Sequence, residues 1–209
     1  MTDIYTVGTE PTGYPVTLDE VKLFSKITNT VEDDLLDGLI AAATNIIEEY
    51  LHRWFLTRTD VVGEFDSIRI SNSECFSFLE VRRSPLISVA SVEVFDNDAY
   101  TVLTVDDDYE VKRMSSFSRI LIYDSISADY EKAYPLKVTF DAGFGDIDDV
   151  PEAIKVAIKQ MVNYLYLNRG DCVPNCGGGG DRGSFTTSVP LFIAAPIAKY
   201  RILNTFAVI

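Results

Sequence analysis

The chain has 209 residues and a formal charge of −14, from 32 acidic and 18 basic side chains. Hydrophobic residues at 47% and charged residues at 24% are the proportions of an ordinary globular chain and exclude disordered and fibrous classes. The acid excess argues against gripping nucleic acid, because phosphate binding rests on lysine and arginine releasing counterions, and the sequence holds no basic run.

At this length one domain, or one domain with a sizeable insertion, is expected, burying roughly 70% of the surface its unfolded chain exposes. The longest apolar stretch, Leu191 to Ala198, has eight residues with a proline among them, against the roughly 20 that a bilayer crossing needs. The first residues, MTDIYTVGTE, contain neither a basic segment nor an apolar block, so no secretion signal is expected and no membrane partner. Three cysteines are an odd number and too few for a disulfide framework, which points to synthesis in a reducing cytoplasm.

The first helical signal is VTLDEVKLFSKI, where Thr17 and Glu20 form a capping box and Val21 and Phe24 fall on one face. The pattern restarts at Thr30 with Glu32, Asp33, Asp34 and Asp37 in the first turns, where acids suit the positive end of the helix dipole. Leu35, Leu36, Leu39, Ile40, Ala43, Ile46, Ile47, Tyr50, Leu51 and Trp54 then recur at steps of three and four, which predicts a long central helix. His52, Arg53 and Arg58 gather towards its C-terminal end.

From about Arg58 to Phe144 the period changes to two. SIRI, FSFLEV, ISVASVEVF, YTVLTV, YEVKR, RILIY and LKVTF read as short strands separated by turn-formers such as Asp96-Asn97-Asp98 and Asp106-Asp107-Asp108. In the last, Leu136, Val138 and Phe140 alternate with Lys137, Thr139 and Asp141, giving one dry face and one wet face. Helix returns at VPEAIKVAIKQMVNYLYLNR, with Pro151 at its first position and a stripe of Ile154, Ala157, Ile158, Met161, Val162, Leu165 and Tyr166. Residues 171–188 are glycine-rich and without periodicity and read as a flexible loop. A last helical piece spans Pro190 to Tyr200, interrupted at Pro196, and an apolar tail follows. The fold class expected is α+β: a helical core from the N- and C-terminal thirds within a single domain of residues 1–209, with a mainly antiparallel β-rich lobe inserted over residues 58–148.

Chemistry is scarce. Gly177 to Gly180 lacks the lysine of a phosphate loop and is not fed by a buried strand. Cys172 and Cys176 have a zinc-like spacing, but their only further candidates, Cys75 and His52, lie in unrelated segments. Read as a calcium loop from Asp96, the sequence has Thr101 where glycine and Asp107 where glutamate would be needed. No G-x-S-x-G elbow occurs. No catalytic residue, metal ligand or cofactor is therefore assigned.

The succession VTLDEVKLFSKI, EDDLLDGLIAAATNIIEEYLHR, SPLISVASVEVF, VTFDAGFGDIDDVPEAIKVAIKQMVNYLYLNRGD, Val189-Pro190 and Lys199-Tyr200-Arg201 resembles the head–tail connector (adaptor) proteins of long-tailed bacteriophages. It covers most of the chain in that family's order; Pro196 and the apolar tail after Arg201 make the C-terminal end atypical, and the β-lobe is long compared with the smallest, nearly all-helical members. The resemblance implies a structural protein of the virion neck, made in the host bacterial cytoplasm. It implies a ring of about twelve copies docked beneath the portal, closed head to tail. Such a ring extends the DNA channel, lets DNA pass without specific binding, and offers a platform to the next neck or tail-completion protein. A tail terminator is the nearest alternative; an enzyme or small-ligand protein would instead gather perturbed ionisable groups in a cleft. Candidate contact residues are Asp33, Asp37, Glu48 and Arg53, off the apolar stripe of the long helix, and Arg182, Phe185, Phe206 and Ile209 in the glycine-rich loop and tail.

Overall fold

A computed structural model describes residues 3–66, 69–70, 76–96, 98–113, 118–123, 133–168 and 189–202. Among these the chain forms two compact units, one helical (residues 13–52 and 145–202) and one β-rich (residues 3–12 and 53–144). With four α-helices and antiparallel sheets, the fold is α+β.

In the helical unit, α1 spans Leu18–Ser25. The capping box forms as read: the Glu20 amide donates to Thr17 Oγ1 at 3.3 Å and the Thr17 amide donates to Glu20 Oε2 at 2.9 Å. Val21 is buried, but Phe24 is exposed, so α1 buries less than its pattern promised. Helix α2 spans Asp33–Leu51 and stops where His52 enters the left-handed region at φ 56°. Trp54 therefore does not continue its stripe. The buried face is also rotated from the expected one: Leu36, Ile40, Ala43, Thr44, Ile47, Glu48 and Leu51 point inward, whereas Leu35 is exposed and Leu39, Ile46 and Tyr50 are half-buried. The Thr44 hydroxyl, inside this face, donates to the Ile40 carbonyl at 2.8 Å.

Helix α3 spans Glu152–Leu167 and buries Ile154, Ala157, Ile158, Met161 and Val162 against α2. Helix α4 spans Leu191–Ile197 and packs on α3 through Ile193, Ala194 and Ile197. Pro196 has no N–H to donate back along α4, and the helix gives way to a 3-10 turn over Ala198–Tyr200. The Ile202 amide then donates to the Leu51 carbonyl at 3.0 Å, tying the last described residues to the end of α2.

Among its described residues the β-rich unit holds nine strands: β1 Ile4–Thr6, β2 Arg58–Phe65, β3 Arg69–Ile70, β4 Phe76–Val81, β5 Leu86–Asp96, β6 Ala99–Val102, β7 Tyr109–Arg113, β8 Ser118–Tyr123 and β9 Leu136–Ala142. They form two antiparallel sheets in the orders β1-β2-β9-β5-β6 and β3-β4-β8-β7. The alternation expected for β9 holds on its dry side, where Leu136, Val138, Phe140 and Ala142 are buried. As the middle strand it faces Val61 through Phe140 on one side and Val89 through the same residue on the other. Its intervening residues are half-buried rather than wet. Lys137 pairs with Glu64 at 3.4 Å, and Asp141 accepts from the Ser88 hydroxyl at 2.6 Å and the Asp60 amide at 3.0 Å. Trp54 joins an aromatic group here, stacked on Phe140 at 6.5 Å with the edge of Tyr5 6.0 Å away.

Candidate functional site

The residues expected to make contacts fall in different settings. Asp33 opens α2, half-buried, and its carboxylate accepts from Lys22 Nζ at 2.7 Å; Asp37 is exposed one turn on. Glu48 and Arg53 are not surface residues: they are 6% and 3% exposed. Glu48 follows Thr44 by four residues and shares its inward face. Arg53 lies beyond the helix in the β-rich unit, its guanidinium 5.9 Å from the Phe144 ring, and burial lowers its pKa. Arg182, Phe185, Phe206 and Ile209, with the glycine-rich segment 171–188, lie outside the described residues.

What the sequence reading missed is the exposure of several apolar residues near the ends of the helices. Contacts link the helix ends in pairs. Lys22 in the last turn of α1 reaches Asp33 at the start of α2. Tyr166 in the last turn of α3 donates its hydroxyl to Glu32, the residue before α2. Tyr164 lies 6.4 Å from Phe192 in the first turn of α4, edge to face. Around these contacts Val31 is 90% exposed, Leu23 83%, Leu191 81% and Leu167 66%, and Leu35 and Phe192 are exposed as well. The only sequence signals were apolar residues placed where no helix needs one: Val31 between Thr30 and Glu32, and the Leu191-Phe192 pair straight after Pro190.

Among the described residues no three His, Cys, Asp or Glu side chains come together as a metal site would require. None of the described helices is long and apolar enough to cross a membrane.

Among the described residues the one acid whose titration stands out is Asp3, beside β1. Burial raises its carboxyl above the usual aspartate range, although Arg82 at 3.6 Å and the Tyr5 hydroxyl at 3.4 Å both favour the charged form. A carboxyl held above its unfolded pKa binds its proton more readily in the folded state, so it adds stability in acid that is lost as pH rises through the folded pKa. Asp3→Asn should remove that component. Urea unfolding of both proteins should show the wild type gaining on the variant as pH falls from neutral towards 4 (roughly the unfolded aspartate value); a constant difference would refute the assignment.

Four helices and two antiparallel sheets, divided between two compact units, define an α+β protein among the described residues. The family described as "HCP: Head completion protein" matches residues 16–203, and the chain belongs to it. Its function is accordingly that of a structural head–tail connector in a phage-type virion. No curated protein matches it in sequence. Three solved structures share its fold at low identity. A chain in "Neck of empty GTA particle computed with C6 symmetry" is 16% identical with a TM-score of 0.69 over 98% of both chains. One in "Virion of native gene transfer agent (GTA) particle" is 14% identical with a TM-score of 0.64 over 98% of both. One in "Neck of native GTA particle computed with C12 symmetry" is 16% identical with a TM-score of 0.59, covering 95% of this chain and 97% of that one.

Proposed function

We propose that this chain is the adaptor of a virion neck: a ring of copies seated beneath the portal, extending the DNA channel and presenting a platform to the next neck or tail-completion protein. The observation that carries this reading is a fold shared over 98% of both chains with a protein of the gene transfer agent neck, within a family whose task is head completion. Those necks were computed with six-fold and twelve-fold symmetry, which supports a closed ring of about twelve copies here. A ring of this kind needs two different patches per subunit, and two units of unlike architecture offer them. Asp33 and Asp37, with Arg182, Phe185, Phe206 and Ile209, are the contact residues of this reading. The net charge of −14 suits a channel wall that packaged DNA slides past, since no counterion release rewards adhesion.

The test is the mass of the purified chain, alone and mixed with portal rings, read by native mass spectrometry and negative-stain electron microscopy. The expected result is one added ring of density and a mass increment of about twelve chains per portal. A chain that stays monomeric and leaves the portal's mass unchanged would overturn the reading.

A further inference from the structure

We draw no further inference here: the strongest candidate, the outer edge of β5 over residues 86–91, which β6 leaves uncovered by pairing only with residues 93–96, carries nothing because nothing in the structure shows what covers it.

Discussion

Phe140→Ala should lower the unfolding free energy by about 4 kcal/mol, the largest effect expected of any single truncation in the β-rich unit. Phe140 is fully buried in the middle of β9, the strand that holds β2 on one side and β5 on the other. Its ring stacks on Trp54 at 6.5 Å and meets the edge of Tyr5 at 6.2 Å, so truncation removes both the buried area and the partner of two other rings. The residues around it belong to a sheet bonded on both flanks, which leaves little freedom to collapse into the void. Urea unfolding measures the loss directly. Because Trp54 is the only tryptophan, its emission gives a local readout, and a red shift should accompany the variant in its folded baseline. Phe140→Leu, which keeps most of the volume, should recover well over half of the lost stability. A loss below about 1 kcal/mol for the alanine variant would mean that this strand is not the centre of the unit's core.

Gly143→Ala should cost about 3 kcal/mol for a different reason. Gly143 follows β9 with φ 140°, a conformation that side chains rarely adopt. A Cβ there would stand 2.6 Å from the Leu56 carbonyl oxygen and 2.7 Å from Thr57 Cα, both backbone atoms that cannot rotate away. The glycine also sits between two long-range hydrogen bonds, its own amide donating to the Pro85 carbonyl at 2.9 Å and the Phe144 amide donating to the Phe55 carbonyl at 3.1 Å. Any backbone shift that accommodates the methyl group strains both. Gly38, by contrast, has nothing within 4 Å of a built Cβ and lies inside α2, so Gly38→Ala is its matched control and should be neutral or stabilising by about 0.5–1 kcal/mol. Equal melting temperatures for the two variants would rule out the packing argument at Gly143.

Where the sequence spoke clearly, the signal was local. Thr17 and Glu20 sit three residues apart and solve a problem of the same helical turn, so their bonds could be read before any tertiary contact existed. The alternation of Leu136, Val138 and Phe140 was equally legible, since a period of two puts the same side inward along the whole strand. The long helix was legible as an element but not in its orientation. Its apolar residues cover more than one face, and hydrophobicity alone does not say which edge of a broad stripe is buried. The tertiary structure chose the edge with Thr44 and Glu48 over the edge with Leu35, Leu39, Ile46 and Tyr50. Trp54 fell in step with Leu51, so its periodicity extended the helix beyond the turn at His52.

Strands β1 and β2 escaped for a related reason. Ile4–Thr6 is too short to show alternation, and RTDVVGEF carries a glycine and two acids. A Cβ at Gly63 would stand 2.8 Å from the ring of Phe65, two residues on in the same strand, and 3.2 Å from that of Phe140 in β9, and only the folded sheet sets the ring positions. The exposure of Leu23, Val31, Leu167 and Leu191 was illegible in the same way, since it follows from how the helices pack.

The chain passes between the two units at residues 12–13, 52–53 and 144–145, and this threading bears on the order of events during synthesis. A ribosome delivers the whole described β-rich unit by residue 144, whereas α1 and α2 emerge early and must wait for α3 and α4 before their inward faces are covered. Until then Leu36, Ile40 and Ile47 have no lasting shelter, and the loop that must close around the intervening strands is long. The nascent polypeptide therefore spends much of its translation with a greasy helical pair exposed, and its chance of going astray is set by how quickly the codons for α3 and α4 are read.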